Sequence, residues 1–327
     1  MLRLASILVV SAVLLLPGEA QAIDCTAATN VIAKSLCAAP ALAEKENAME
    51  GLLAEVSKLS SDEERAMLEK IQKSWVEERN DNCGDLDAEA LAECLDEGLD
   101  ERIAEFRATP ESGPGAVSRM IPVYVTQEGD DAHYSLYAQA FRFADPRNDG
   151  EKLFNAHVAD VLAKLPLAAQ PAEPEGEVRE SDTSMAIKFS SPKLLSAAAY
   201  WWHDNDEDGS GGLSTFNINM ETGKDIVISD VVSEQAAGEM RRMCRERLVA
   251  QKKEQVDDLY KPEDDPNLKD EVIAEHVANL SRWTITAEEV SILFDTGVIG
   301  DEEEGDYECL FTMAEMKKLA LPGAPLP

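Results

Sequence analysis

The sequence predicts an α+β protein, in which a disulfide-bonded all-α helical domain is followed by an α+β domain with a mainly antiparallel sheet. Apolar residues recur at helical spacing in the first part of the chain, and short β-rich runs alternate with helical stripes in the rest. A stretch rich in Pro and Gly separates the two patterns. We therefore expect a helical domain over 23–107, a linker over 108–116 and an α+β domain over 117–327.

Residues 1–22 have the pattern of an export signal. Arg3 precedes an apolar run from Ile7 to Leu16, and Ala20-Gln21-Ala22 has the small-x-small pattern that signal peptidase cuts. The apolar run is about half as long as the roughly 20 residues that a membrane-spanning helix requires. We expect cleavage at about Ala22, a mature protein that is periplasmic or secreted, and no membrane span.

The helical domain divides into one short and three longer helices. Leu68, Ile71 and Trp75 illustrate the apolar spacing, and Ser61 with Glu64 forms a capping box that opens a new helix. Short connections make consecutive helices antiparallel neighbours. The predicted helices lie near residues 26–36, 41–59, 62–80 and 87–107.

The second domain combines strands with amphipathic helices. Strands are predicted at 121–126, 134–143, 184–190, 213–220 and 225–232. Helices are predicted at 151–165, 234–255 and 268–281. Gly223 is free to take a positive φ in a turn between the last two strands. The segment 166–180, rich in Pro, Ala and Glu, is predicted to be an exposed or disordered loop.

All six cysteines follow the predicted cleavage point, and an even number in an oxidising compartment indicates three disulfides. None of them forms the CxxC pair of a typical zinc site, and the four histidines are scattered. We therefore expect no metal on the thiols.

The net charge is −34, and removal of the signal leaves it unchanged because Arg3 and Glu19 leave together. Such acidity repels a phosphate backbone, which excludes nucleic acid as a natural partner. Two interpretations remain open. The charge keeps a secreted protein in solution, or it attracts a basic partner, whose association rate it raises and salt lowers. The basic run at 241–253 fits a helix face that pairs with surrounding acids.

The most specific motif is Gln72-x-x-Trp75-x-x-x-Arg79-x-x-x-Cys83, followed by Arg102. With its framing cysteines, it resembles the LprI-type lysozyme inhibitor N-terminal domain, and this resemblance implies binding to lysozyme. Gln72, Trp75 and Arg79 share one helical stripe, which favours a structural role in which the indole fills the core. Contact with a partner is the alternative role for these residues.

The four cysteines of the helical domain allow three pairings. If consecutive helices are antiparallel neighbours, Cys83 at the end of the third helix approaches Cys37 just before the second. That arrangement leaves Cys25 for Cys94. We therefore predict the disulfides Cys37–Cys83 and Cys25–Cys94.

The motif N-x-N-M-x-T-G-K at residues 217–224, with a late strand at Val290–Phe294, resembles the C-terminal domain of RsiV-type lysozyme-sensing ectodomains. The resemblance implies lysozyme-related binding without catalysis. The same resemblance implies that Cys244 and Cys309 form a third disulfide. This disulfide closes a loop of about 65 residues and adds roughly a few kcal/mol to stability.

Asp204, Asp206 and Asp208 begin a segment that is similar to a calcium loop, with glycine at the sixth position. The twelfth position is Thr215, where an EF-hand has a bidentate Glu, and strands are predicted on both sides. A calcium site at the three aspartates and a solvated acidic turn are therefore both open.

Trp201 and Trp202 are adjacent, so in a strand their side chains point to opposite faces. One side chain then lies in the core while the other is exposed beside the acidic turn, as a candidate contact for a partner. The alternative is that a helix covers both.

The sequence has no HExxH, GxSxG or P-loop motif, so we expect no enzymatic activity and no required cofactor. The predicted function is that of a periplasmic binding protein that inhibits a basic lysozyme, or a related wall-cleaving enzyme, by non-covalent obstruction. The alternative is a non-catalytic envelope structural or sensing module that binds peptidoglycan fragments or another envelope protein.

Overall fold

The computed structural model has the predicted α+β fold, with helices in the N-terminal part and mainly antiparallel sheets in the C-terminal part. It describes residues 25–26, 28–116, 118–128, 134–166, 179–204, 210–255, 260–300 and 305–327. The predicted signal at 1–22 and most of the predicted loop at 166–180 lie outside these ranges. No helix within them is long and apolar enough to cross a membrane.

The N-terminal bundle consists of helices α1 (Val31–Ala38), α2 (Pro40–Leu59), α3 (Asp62–Gly84) and α4 (Ala88–Arg107). Side chains cap the starts of α1, α3 and α4. Asn30 Oδ1 accepts a hydrogen bond from the Ala33 N–H at 2.7 Å, and Ser61 and Glu64 form the predicted capping box. The bundle core includes side chains with no exposed surface: Met49, Val56, Leu95, Leu99 and Phe106.

The disulfides of the bundle join Cys25 to Cys37 and Cys83 to Cys94, so the predicted pairs Cys37–Cys83 and Cys25–Cys94 are wrong. Each bridge closes locally. The first spans α1, and the second spans the short connection from the end of α3 to the second turn of α4. The prediction failed because it took consecutive helices as nearest neighbours, whereas α2 packs mainly against α4.

The larger sheet contains β1 (Met120–Glu128), β2 (Tyr134–Phe143), β3 (Arg179–Ser190), β4 (Leu194–His203), β5 (Ser210–Asn219) and β6 (Lys224–Asp225), in that order. β2 and β3 are parallel, and the other neighbouring strands are antiparallel. The sequence predicted only part of β3 and did not predict β4 as a whole strand.

Helix α5 (Asp149–Ala163) packs on the larger sheet and on the turn that follows β5. Phe154 of α5 is fully buried, with its ring centroid 5.7 Å from that of Phe143. Gly223 in the turn has a φ of 66°, as predicted, and a Cβ there would lie 2.6 Å from the Asp149 Cβ. The turn therefore requires glycine where it meets α5.

The predicted strand at 225–232 is wrong beyond Asp225, because the chain forms helix α6 (Ile228–Val231) there. The Asp230 carboxylate accepts a hydrogen bond from the Val227 N–H at 3.0 Å. This side-chain bond stabilises a helical turn where the apolar residues alone suggested a strand.

The smaller sheet contains β7 (Trp283–Ile285), β8 (Glu289–Phe294) and β9 (Tyr307–Thr312), with helices α7 (Glu234–Gln255), α8 (Asp270–Ala278) and α9 (Met313–Leu319) beside it. Cys244 of α7 and Cys309 of β9 form the predicted third disulfide. The Asn217 amide joins the two sheets, because it donates to the Leu280 and Trp283 carbonyl oxygens at 2.9 and 2.8 Å.

The basic run of α7 pairs with acids, as predicted. The ion pairs are Arg241–Glu234, Arg242–Glu239, Arg242–Glu246, Arg245–Asp270, Arg247–Glu315 and Lys252–Asp265. Arg247 also donates to the Leu310 carbonyl oxygen, so α7 covers the backbone edge of β9. The positive charges of Arg241, Arg242, Arg245, Arg247 and Lys252 are therefore balanced within the protein.

The segment 108–116 runs along the larger sheet. The Glu111 N–H donates to the Ile187 carbonyl oxygen at 2.8 Å, which extends the hydrogen bonding of β3. The core of the bundle also continues into Ile121 and Tyr124 of β1. The bundle therefore rests directly on the sheet.

Candidate functional site

The four motif residues meet where α3 and α4 face β1. Gln72, Arg79 and Arg102 are buried, whereas Trp75 keeps part of its indole exposed. The guanidinium carbons of Arg79 and Arg102 lie 4.9 and 5.7 Å from the Trp75 ring centroid. Two cations thus lie against one aromatic ring at the surface of the bundle.

Arg102 is the centre of a buried hydrogen-bond network. Its Nε donates to Gln72 Oε1 at 3.1 Å, and its Nη1 donates to Glu105 Oε2 at 2.6 Å and to Tyr124 Oη at 3.3 Å. Burial, followed by the charge of Glu105, raises the pKa of Tyr124 well above its ordinary value, so its hydroxyl stays protonated and donates to Glu105. The network joins α3, α4 and β1.

Arg79 has its own carboxylate partner inside the bundle. Its Nη1 donates to Glu46 Oε2 at 2.9 Å, and both side chains are largely buried. Burial, together with the charge of Glu46, raises the pKa of neighbouring Glu50. Because Glu46 and Glu105 balance the two arginines, neither arginine supplies its charge to the acids on the bundle surface.

An open groove of about 480 Å³ lies between α3 and α4. Trp75, Gly98 and the Cys83–Cys94 disulfide line it. A Cβ at Gly98 would have no atom within 4 Å, so the groove is open at this point. Exposed glutamates also line the groove, and with it they define the acidic groove: Glu78, Glu93, Glu97 and Glu101.

Negative charge is concentrated around the acidic groove. Residues 77–105 contain twelve Asp and Glu against two Arg, and both arginines are paired inside the bundle. Asp96 and Asp100 pair with Lys45 at 2.6 and 2.8 Å. Over the ranges that the structure describes, no ion pair joins a cation to any of the four groove glutamates.

Glu93, Glu97 and Glu101 follow each other at one-turn spacing on α4. Like charges at this spacing destabilise a helix by about 0.2–0.5 kcal/mol per pair. A bound cation would remove this repulsion. The groove is therefore suited to guanidinium or ammonium groups. The sequence contains a signal for the groove, since three glutamates recur at i, i+4 and i+8 with a glycine among them. The sequence prediction did not use this signal.

β4 places Trp201 and Trp202 on opposite faces of the larger sheet, and Trp202 is 50% exposed while Trp201 is partly buried. Each indole lies against a glycine of β5. A Cβ at Gly212 would lie 2.4 Å from the Trp201 ring, and one at Gly211 would lie 3.0 Å from the Trp202 ring. The structure thus leaves Trp202 as an accessible candidate contact.

The proposed calcium ligands are described only in part, because Asp206 and Asp208 lie outside the described residues and only Asp204 lies within them. The calcium site therefore stays a prediction. Among the residues that the structure does describe, no group of three or more His, Cys, Asp or Glu is arranged to hold a metal ion.

No family model and no curated protein matches the sequence, so the resemblances to the LprI-type and RsiV-type domains stay predictions. Crystal structures of two DUF3298 family proteins are similar to this chain. The one from Bacteroides fragilis is 10% identical, with a TM-score of 0.46, and the match covers 63% of this chain and 95% of that chain. The one from Pseudomonas aeruginosa is 14% identical, with a TM-score of 0.45, and the match covers 64% of this chain and 97% of that chain.

Proposed function

We propose that this is an exported, non-catalytic protein that holds a basic partner in the acidic groove, and that the partner is a lysozyme or a related wall-cleaving enzyme that it obstructs. The observation that carries the proposal is the groove itself. Four glutamates that no described ion pair neutralises line a cleft that also exposes an indole, and Arg79, which lines the same cleft, is paired with Glu46. If the acidic residues served only to keep the protein in solution, they would not need to be concentrated in a cleft.

The spacing of the carboxylates favours a protein partner over a single small cation. Successive glutamates of the α4 row are separated by about 6 Å along the helix axis, from a rise of about 1.5 Å per residue. The whole row from Glu93 to Glu101 is about 12 Å long, which is more than one small ion can reach. A row of this length matches several Lys and Arg side chains on a basic surface.

The electrostatic field of the whole molecule favours the same kind of partner. A net charge of −34 draws a cationic protein toward the surface and raises its association rate. Salt screens this attraction, so binding should weaken as ionic strength rises.

The choice of a wall-cleaving enzyme rests on the resemblances of the 72–83 motif and the 217–224 turn, both of which imply lysozyme-related binding. Export rests on the signal pattern at 1–22 and on three disulfides, a type of bond that persists in oxidising compartments. The absence of catalytic motifs from the sequence supports binding without turnover.

Titration of the mature chain into a c-type lysozyme tests this function. We expect stoichiometric loss of wall lysis and calorimetric binding that is tighter at low salt than at physiological salt. An acidic protein of similar size serves as the control for non-specific charge effects and should leave lysis unchanged.

The outcomes separate binding from inhibition. Binding without loss of lysis would contradict obstruction and would leave a holding or sensing role. No binding at either salt concentration would contradict lysozyme as the partner, and a pull-down from periplasmic extract would then identify the protein that the groove holds.

A further inference from the structure

A row of side chains crosses the larger sheet beside the bundle. The strand register places Thr126, Tyr137, Asp182, Trp202 and Gly211 next to one another on five successive strands. Cross-strand neighbours in register point to the same face of a sheet. The row starts under the bundle, because Lys70 of α3 donates to Thr126 Oγ1 at 3.2 Å, and it ends at the exposed Trp202.

A second row lies beside the first on the same face. It contains Tyr124, Gln139, Ser184, Tyr200 and Leu213. Tyr124 is buried against the bundle, whereas Tyr200 is 39% exposed. The bundle therefore covers one end of both rows and leaves the other end open.

The open part of this face is defined here as the sheet window, and it consists of Asp182, Ser184, Tyr200 and Trp202. The helical turn that leads into the smaller sheet bounds it on the side away from the bundle, because Thr215 of β5, on the same face, donates to the Leu280 carbonyl oxygen at 3.0 Å. The window is thus a strip of exposed sheet between two packed units.

Two features give the window a chemical character. Gly211 leaves room for the Trp202 ring, so the indole lies close to β5 while half of the residue stays exposed. Asp182, the cross-strand neighbour of Trp202, is exposed, and among the described residues no ion pair or side-chain hydrogen bond reaches its carboxylate. An exposed indole beside an unpaired carboxylate is the combination that a guanidinium group matches by stacking and ion pairing.

A lysine beside Tyr200 already has a carboxylate partner. Lys188 Nζ lies 5.3 Å from the Tyr200 ring centroid, and it is paired with Glu111 at 2.7 Å. Glu111 therefore balances the positive charge of Lys188.

Tyr137 connects the sheet window with the side chains beneath the acidic groove. Its ring centroid lies 6.5 Å from that of Tyr124, inside the Arg102 network, and its register neighbour is Asp182. Tyr124 accepts a hydrogen bond from Arg102, whose guanidinium carbon lies 5.7 Å from the ring centroid of the groove residue Trp75. Neighbouring side chains thus connect Asp182 of the window with Trp75 of the groove.

We infer that the acidic groove and the sheet window bind the same basic partner, and that the window takes an arginine side chain of that partner between Trp202 and Asp182. This inference rests on the proposed function for the groove. The inference adds that both halves of the chain contact the same partner. The groove binds several Lys and Arg side chains, and the window binds one guanidinium group.

Variants of the window test the inference in the full mature chain. Trp202→Ala should weaken calorimetric binding of lysozyme roughly tenfold, and Asp182→Asn roughly fivefold. The double variant should lose less than the product of the two effects, because both side chains contact one guanidinium group. Val227→Ala, which changes an equally exposed side chain outside the window, should leave the affinity unchanged.

A hexa-arginine peptide separates this inference from the choice of lysozyme. We expect the mature chain to bind hexa-arginine more tightly than hexa-lysine, and Trp202→Ala to remove this preference. If lysozyme binds the wild type and Trp202→Ala equally, the inference is overturned and the proposed function stands. If lysozyme fails to bind while the arginine preference requires Trp202, the window chemistry stands and the proposed function is overturned.

Discussion

The triple variant Glu93→Lys, Glu97→Lys and Glu101→Lys should lose binding to the basic partner almost completely. The three substitutions replace the carboxylate row of the acidic groove with ammonium groups on the same helical turns. Like charges placed against each other in an interface cost several kcal/mol, so we expect the affinity for lysozyme to fall by roughly 100-fold or more. Lys and Glu have similar helix propensities, and α4 should therefore fold as before.

A matched control variant separates the effect of the groove glutamates on affinity from the effect of the net charge. Glu254→Lys, Glu275→Lys and Glu288→Lys change the net charge by the same amount at exposed positions outside the bundle. Calorimetry at one fixed salt concentration should show only a small loss of affinity for this control. Equal losses in the two triple variants would mean that the general field, and not the groove, attracts the partner.

Arg102→Ala should strongly destabilise the bundle. The change leaves Glu105, Gln72 and Tyr124 without their shared donor and removes a side chain that is only 3% exposed. Removing one member of a buried ion pair typically costs about 3–5 kcal/mol. Because Glu105 is partly exposed, we expect a loss near the lower end, about 3 kcal/mol in the free energy of unfolding.

Urea denaturation with the disulfides intact measures this loss. Lys73→Ala is the control, since it removes an exposed cation from α3 whose ion pair with Glu77 is 3.7 Å long. It should change the free energy of unfolding by no more than about 0.5 kcal/mol. A similarly small effect for Arg102→Ala would show that the network around Arg102 does not hold the bundle on β1.

Local features of the fold were predictable because short stretches of sequence determine them. Ser61 and Glu64 cap a helix with their own side chains, and Gly223 has the positive φ that its turn requires. The basic run of α7 was also interpreted correctly, because acids nearby in sequence and in the fold pair with it. In each case the deciding contact is local or follows from the amphipathic pattern.

Features that depend on long-range packing were not predictable in the same way. The disulfides at Cys37 and Cys83 were assigned on the assumption that consecutive helices are nearest neighbours, and the packing of α2 on α4 removed that basis. The acidic groove was missed because it depends on how α3 and α4 face each other. The exposure of Trp202 depends on where the bundle and the smaller sheet stop covering one face of β4.

Hydrogen–deuterium exchange of the mature chain, measured with and without saturating lysozyme, tests the central claim most directly, because it locates the partner on the surface. The account predicts slower exchange of backbone amides at residues 75–83 and 88–101, which line the acidic groove. A complex that forms and protects other segments, while these amides exchange at the same rate as in the free protein, would contradict it.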